Sequence, residues 1–594
     1  MLNLIPRNIF YAVLTIISLT LIPLHGKSAD KGTEVKKDPL LIAMQTELKR
    51  AQKNLRLPGQ PAPYFIEFWI QEDVSASLSG KYGAITHAHP DLHPHRTAAV
   101  QVRVGSYEFD NANLSWKSRF DRDSYEDFLA ESDWQLSQVP IEGNGASLRA
   151  ALWLMSDMAY KRAIGDYQKK KTLQATGIEK EKINDFSREK PSVFIAPITE
   201  VFFQEDIWKS AVREVTGYLA TKPEIMEPSM EVEARRTINY FMNTEGTIIR
   251  TSDIYYKVDI TAWARARDGV KVRSFRHFFV RDAKEVPDTK HLISEAEALA
   301  KELAELRTAE EFSPYTGPAI LGPDVAGVFF HEALGHRLEG ERQRMSESGQ
   351  TYKGKIGEKI LSEFLTISDN PTLERFDGKT LAGYYPYDDE GVAAQKVLLI
   401  ENGTLKNYLM SRMPVKGFNR SNGHGRSQGP GANSLYGHAV GRMANLVVES
   451  TKKLSWQKLK SMLMEEAKKQ GKPYGLIIRR IKGGETNTQA SQGLDGGNFQ
   501  AFKATPVLVY AVDVETGQER LVRGVELVGT PLVSLEKIIA TGDDADVFNG
   551  ICGAESGQVP VSVVSPSILT AQVELQRVSG SPKRPPILPS PFQE

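Results

Sequence analysis

Asp324-Val-Ala-Gly-Val-Phe-Phe-His331-Glu332-Ala-Leu-Gly-His336 is the stretch around which the rest of the chain can be ordered. An apolar run leads into two imidazoles, and a glutamate directly follows the first. Such a run builds a helix that is buried rather than laid on the surface, so the histidines are held in a rigid element. Neutral imidazoles beside a carboxylate are what a zinc enzyme needs, the carboxylate taking the proton of a water at the metal. The usual spacing is H-E-x-x-H, because residues i and i+4 share a helix face. Here His336 comes five residues after His331, which turns it by about 140° on an ideal helix. Either the helix carries a π-type bulge, or Gly335 ends it and lets His336 swing back. Composition predicts about 0.025 hexamers of the form H-[DE]-x-x-x-H by chance. The blander reading is a helix end with two hydrogen-bonded histidines.

Outward from the motif, the fold class is α+β: mixed α/β N-terminal and central parts, then a β-dominated C-terminal domain that carries the metal site. The C-terminal unit, residues 312–580, is mostly strands and glycine-rich loops. Val397–Ile400 and Leu405–Met410 flank Asn402-Gly403, a strong hairpin signal, and strands are expected at Asn445–Val448, Leu476–Ile481, Val507–Val514 and Val559–Val564. A helix is expected around Ser455–Lys468. The central unit, residues 191–311, has a helix around Glu205–Thr221 and strands from Met230 to Val280. Turns fall at Asn243-Thr-Glu-Gly246 and Asp268-Gly269, and Ser294-Glu-Ala-Glu297 reads as a capping box opening a helix to Arg307. The N-terminal unit, residues 30–190, has an amphipathic helix at 40–55, strands at Tyr64–Gln71 and Ala99–Val104, and a helix from Ala146 to Lys170. Lys169–Lys190 reads as a solvated, charged connection. Between the two strands, His87-Ala-His-Pro-Asp-Leu-His-Pro-His95 offers four histidines that could bind a metal, although its prolines fit an irregular loop. Residues 581–594 form a proline-rich tail.

The 594 residues are 41% hydrophobic and 25% charged, with Lys+Arg and Asp+Glu equal at 74 each. No global field attracts nucleic acid, and no nucleic-acid partner is expected. The single cysteine, Cys552, excludes a disulfide framework and a four-cysteine zinc site. Residues 1–29 read as a signal peptide: Arg7 is the positive end, Ile9–Leu24 carries no charge, and Gly26–Ala29 supplies small residues. An uncleaved anchor is the alternative, but the stretch is short for a span of about 20 residues. The expected location is exported, periplasmic or extracellular.

Three segments join the histidine motif with its trailing Glu339-Gly340-Glu341. They are Asp388-Asp389-Glu390-Gly391, Ser421-Asn-Gly-His-Gly-Arg426 and Cys552-Gly-Ala-Glu-Ser-Gly-Gln558. In this order they resemble the TldD/PmbA (TldD/TldE) metallopeptidase family, also called modulators of DNA gyrase. The resemblance is clear over Tyr315–Gly580 and weaker over Ser192–Leu306. The cysteine segment departs from the family's by one extra residue and a missing lysine.

The resemblance implies one Zn2+ per chain, held by His331, His336 and Cys552, with Glu332 as general base. From the residues alone Cys552 could instead be a buried apolar cysteine, generally the more common role. TldE/PmbA-type members lack the metal residues, so this chain is similar to the catalytic TldD kind. The implied function is an exported zinc-dependent peptidase acting on peptides or unfolded polypeptide segments taken in extended form. The implied assembly is a homodimer or a heterodimer with a TldE/PmbA-like subunit. Asn422, His424, Arg426 and Tyr436 lie in a glycine-rich loop that could line the substrate cleft; ordinary turn chemistry is the other reading. The alternative function is a non-catalytic peptide-binding or scaffold subunit with a structural zinc. That would call for a fourth ligand such as Glu339, Asp389, His424 or His438. A gyrase-binding role rests on the family's name, and export and zero net charge argue against it.

Overall fold

The helical spacing of Leu41, Met44, Leu48 and Ala51 becomes helix α1 (Pro39–Asn54) in a computed structural model of the chain. Asp38 starts it, its carboxylate accepting from the backbone N–H of Leu40 and Leu41. The structure describes residue 35 and residues 37–578 apart from 91, 114–136, 144, 177–182, 345–349, 431–438 and 487–501, together with 583, 584, 586, 588 and 590–593. The signal-peptide stretch 1–29, Tyr436 and His438 lie outside the described residues, as does much of the tail.

The first sheet has eight strands: β1 (Pro63–Lys81), β2 (Ala84–His89), β3 (His95–Val104), β4 (Ser137–Gln138), β5 (Val193–Ile195), β6 (Met226–Asn243), β7 (Ile248–Arg265) and β8 (Lys271–Val280). Its order is β4-β3-β1-β6-β7-β5, with β2 also on β1 and β8 on β7. β1 and β6 run antiparallel from Glu67↔Asn243 to Lys81↔Ser229. A boundary at residue 190 therefore divides the chain but not the sheet, because β6 completes the hydrogen-bond ladder that β1 opens. β1 also runs ten residues past the expected Tyr64–Gln71. There the apolar side chains are only Val74, Ala76 and Leu78, alternating with polar ones and buried, and the ladder with β6 runs on through them to Lys81.

Period-2 alternation sorts the sheet into two faces. Met230, Val232, Ile238 and Tyr240 of β6 are buried under helices α1, α2 (Ala146–Thr176), α3 (Glu205–Ala220) and α4 (Thr289–Thr308). The intervening side chains face the cleft described below. Helix α4 opens at Thr289, where Asp288 caps the His291 N–H, so the expected capping box at Ser294–Glu297 falls inside it. The buried stripe Leu292, Ala296, Leu299, Leu303 starts a turn earlier than the box suggests. Where it is described, the charged connection is anchored at both ends: Lys170 and Arg344 pair with Asp185, and Phe186 is buried beneath the Arg103 and Arg412 guanidiniums.

In the C-terminal half, β9 (Tyr315–Leu321) lies at the middle of a nine-stranded sheet, next to parallel β14 (Tyr474–Thr486) and antiparallel β18 (Ile568–Arg577). The expected strand around Val507–Val514 is β15 (Phe502–Asp513), paired with β14. A six-stranded sheet runs β12 (Thr404–Leu405), β11 (Val397–Glu401), β10 (Leu365–Asp369), β13 (Asn445–Ser450), β17 (Gly557–Ser565) and β16 (Asp546–Ala554). Asn402 and Gly403, both at positive φ, form the β11–β12 turn, but β12 stops at Leu405 instead of reaching Met410. Helix α5 (Pro323–Ala333) is buried between the two sheets, and helix α6 (Trp456–Lys469) covers the outer face of the nine-stranded one.

Candidate metal centre

Helix α5 starts with Pro323 in its first turn and ends at Ala333. Leu334 leaves the helical region at φ −120° and ψ −57°, and Gly335–Arg337 continues as a single 3₁₀ turn. Of the two routes open to an i+5 pair, the chain takes the early ending. Gly335 serves this by close approach rather than by a left-handed cap: a Cβ there would lie 1.9 Å from Met443 Sδ. The change of helix type brings the His331 and His336 rings to 4.8 Å between centroids, nearly perpendicular at 84°.

Strand β16, the edge of the six-stranded sheet, delivers Cys552 to the same point. Its Sγ lies 3.2 Å from His331 Nε2 and 3.4 Å from His336 Nε2. Two imidazole nitrogens and a thiolate around tetrahedral zinc would stand roughly 3.5 Å from sulfur to nitrogen, from the usual bond lengths. The donor set and its spacing fit that ion. Among the described residues no other His, Cys, Asp or Glu joins this group. All three donors are buried. Burial alone would raise the Cys552 thiol, but the neighbouring His336, His331 and Arg442 charges hold it well below its usual value. His336 moves the other way: burial works against its charge, and the Cys552 and Glu339 charges raise it well above the ordinary imidazole range. The thiolate is the form of Cys552 that binds a metal, whereas an imidazole binds only when neutral, so an ion here would take the place of the His336 ring proton.

Glu339 does not join the donors. Its Oε1 sits 3.0 Å from His336 Nδ1, which fixes the ring so that Nε2 faces Cys552. Burial disfavours the Glu339 charge, but His336, Arg342 and Arg442 reverse this and hold the carboxyl down at about 2. Behind it Arg342 donates to Glu339 Oε2 and in bidentate fashion to Glu555. Arg442 donates to Cys552 Sγ at 3.1 Å and to the Cys552 carbonyl at 2.9 Å. Sequence reasoning reached Glu339 only as a possible ligand and missed Arg342, Arg442 and Glu555. No spacing rule ties Arg442 to Cys552, since the two meet across 110 residues of sequence. Glu555 was visible only as part of the cysteine segment.

Glu332 faces a cleft of about 2570 Å³ between this centre and the open face of the first sheet, and His331, His336 and Cys552 line it too. Burial raises the Glu332 carboxyl, partly offset by the two histidines. The side chain rests on β14, where a Cβ at Gly484 would lie 2.6 Å from Glu332 Cγ. From the other wall Trp69, Arg235, Thr237, Asn239 and Tyr255 look across. Of the loop candidates, Arg426 lines the cleft, with its guanidinium tied to the Met443 and Pro560 carbonyls. Asn422 and His424 do not line it. The Asn422 amide donates to Tyr408 O and accepts from Met410 N, while His424 Nε2 meets Asp369 in a fully buried contact. These two residues carry the turn chemistry that the sequence offered as their other reading. Asp389 lines the cleft, away from the donors, and accepts from Ser427 N. His87, His89 and His93 are exposed, His95 contacts Gln138, and none falls in a metal-competent group among the described residues.

Residues 314–577 match the PmbA/TldA metallopeptidase C-terminal domain. A metalloprotease of Archaeoglobus fulgidus is 33% identical over 251 residues, which are 42% of this chain and 51% of that protein. A zinc metalloprotease TldD homolog of Saccharolobus solfataricus is 40% identical over 95 residues, 16% of this chain and 20% of that one. The chain spans about half the length of curated relatives that it matches. The crystal structure of TldE from Thermococcus kodakarensis superposes with a TM-score of 0.56 at 15% identity, covering 90% of this chain and 100% of that one. That likeness extends the shared fold to the N-terminal sheet.

Proposed function

We propose, for a chain that belongs through residues 314–577 to the TldD/PmbA metallopeptidase family, that it is a zinc-dependent peptidase acting on peptides or unfolded segments. The observation that carries the proposal is the convergence of His331, His336 and Cys552 beside Glu332 on the wall of a large cleft. Three protein donors in place of four support a catalytic site over a structural one. A zinc ion held there would supply Lewis acidity, easing deprotonation of water and polarising the scissile carbonyl. Glu332 takes the proton of the attacking water on its carboxylate and returns it to the leaving amine nitrogen. Its raised carboxyl keeps that oxygen basic enough for the transfer, and Gly484 leaves room for the side chain. Glu339 holds the His336 ring through Nδ1. The edge of β16, unpaired among the described residues and with Val547–Ala554 along the cleft, suits an extended peptide that adds as a further strand.

The proposal includes export through residues 1–29, and a partner that is either a second copy or a TldE-like chain. The test is zinc content and hydrolysis of an unfolded polypeptide by the purified protein, alone and with such a partner. Chelation should abolish cleavage and zinc should restore it. A chain that holds zinc at these residues but leaves the polypeptide intact in both settings overturns the peptidase reading in favour of a binding subunit.

A further inference from the structure

Arg442 is among the most buried charged side chains of the molecule, with no exposure to solvent. Burying a guanidinium is costly unless it is paired, and its partners lie in the metal centre and in the hairpin turn beside Cys552. Nη1 donates to Ser556 Oγ at 2.9 Å and Gly557 O at 3.1 Å, both in the turn that closes the β16–β17 hairpin. Nη2 donates to the Cys552 carbonyl and to Cys552 Sγ. Nε lies 3.3 Å from Glu339 Oε1, an ion-pair contact without hydrogen-bond geometry, on the same oxygen that His336 Nδ1 contacts. One guanidinium therefore touches the sulfur of one donor residue and, through a single carboxylate, the ring of another. Arg342, its neighbour, spends its hydrogen bonds on carboxylates only.

We propose that Arg442 is a positioning residue of the metal centre, whose N–H···S bond draws charge from the Cys552 thiolate and locks the sulfur towards the two histidines. The inference rests on the metal reading above. A thiolate is the strongest electron donor among the three, so a charge-assisted bond to it leaves the bound ion a better Lewis acid. Arginine suits the task because it cannot lose its proton and presents several donors in a fixed plane. The carbonyl, hydroxyl and carboxylate partners hold that plane whether or not an ion is present. The sulfur is thus aimed in advance.

The test replaces zinc by cobalt(II) and reads the sulfur-to-cobalt charge-transfer band in the parent, Arg442→Lys and Arg442→Met. Removal of the bond should make the sulfur a better donor, so the band moves to lower energy in Arg442→Met and part of the way in Arg442→Lys. Loss of the ion to a chelator should be about 10–100-fold easier in Arg442→Met, the range found for outer-layer partners of metal ligands. The charge-transfer shift is the readout that a merely structural role would not move. A band that stays in place in both variants, with cobalt bound, overturns the inference and leaves the metal reading standing. Failure of the parent to take up cobalt or zinc overturns both. Should Arg442→Met not fold, a crystal structure of the zinc-loaded parent decides: Nη2 still within hydrogen-bonding distance of Sγ supports the inference, and a guanidinium turned away from sulfur overturns it.

Discussion

On one side of the cleft, Arg235, Thr237 and Asn239 stand at alternate positions of β6 and keep partial contact with solvent, while Arg236 and Ile238 between them are buried. On the other side, His331, Glu332, His336 and Cys552 are between 5% and 8% exposed, and each donor touches a second one. The sheet wall follows from a two-residue period, and a change at one outward position leaves the ladder intact. The metal wall depends on a helix that must stop at one residue, an edge strand that must reach it, and arginines that must neutralise what is buried. The first wall can vary to suit a substrate; the second can vary hardly at all. Substitutions should therefore differ by wall in size and in kind.

The largest difference is expected at Glu332. Glu332→Gln keeps the volume but cannot accept a proton, so hydrolysis should fall by roughly 10²–10⁴-fold, the usual worth of a positioned base. Zinc should remain bound, since the three donors are untouched. Zinc analysis beside a single-turnover assay checks this. Cleavage at the parental rate would show that the base is elsewhere and that the metal wall is more tolerant than the contrast claims.

A milder break in the same wall is Gly484→Ala. The new methyl would fall 2.6 Å from Glu332 Cγ and 2.8 Å from Val328 Cγ1, so the carboxylate or the strand must shift. Misplacing a reacting group by about 1 Å can cost up to about 10²-fold, so kcat should drop ten- to a hundredfold with KM and zinc little changed. Equal losses in kcat and in zinc content would mean that β14 supports the donors and not the base.

Much of this layout could be read from the chain, and what could not has a common cause. The helix entering His331, the Asn402-Gly403 turn and the alternation of β6 are short-range patterns, legible in windows of a few residues. Gly335 was legible as a helix stop, but its close contact with Met443 was not. The pairing of β1 with β6 and the meeting of Arg442 with Cys552 depend on residues more than 100 positions apart. Local propensity is silent there. The resemblance carried Cys552, because its segment is a motif; Asn422 and His424 were over-read because glycine-rich loops serve turns as readily as clefts.

Depth of burial alone does not set the state of an acid, and pH can sharpen the contrast. Glu339, beside His336 and two arginines, is held at about 2, whereas burial pushes Asp388 up to about 8, Asp389 up to about 6 and Glu67 up to about 7. A carboxyl raised on folding binds its proton more tightly in the native state. Its contribution is complete below the unfolded value near 4 and is lost as pH rises through about 6 to 8. The depressed Glu339 behaves oppositely, its contribution being lost only as pH falls below about 4 towards 2. Thermal stability should therefore decline between pH 5 and 8, and Glu67→Gln should remove about 1–2 kcal/mol of that decline. Unfolding curves of the two proteins across that range check it. An identical slope would show that Glu67 ionises freely where β1 meets the C-terminal half.

The smallest effect is expected on the sheet wall, at Arg235. Its guanidinium is 38% exposed and pairs with Asp73 at 2.9 Å, an oxygen that Thr237 also reaches. A half-exposed pair of this kind contributes at most about 1 kcal/mol, so Arg235→Ala should lower stability by less than that. Because the residue faces the cleft well away from the donor group, it should act on substrate binding only. KM for acidic peptides should change by up to about fivefold, which corresponds to about 1 kcal/mol, with kcat and zinc content unchanged. Neutral peptides should show no change, which separates charge selection from loss of packing. A fall in kcat comparable to that of Glu332→Gln would place Arg235 in the chemistry, and the division of labour between the two walls would have to be given up.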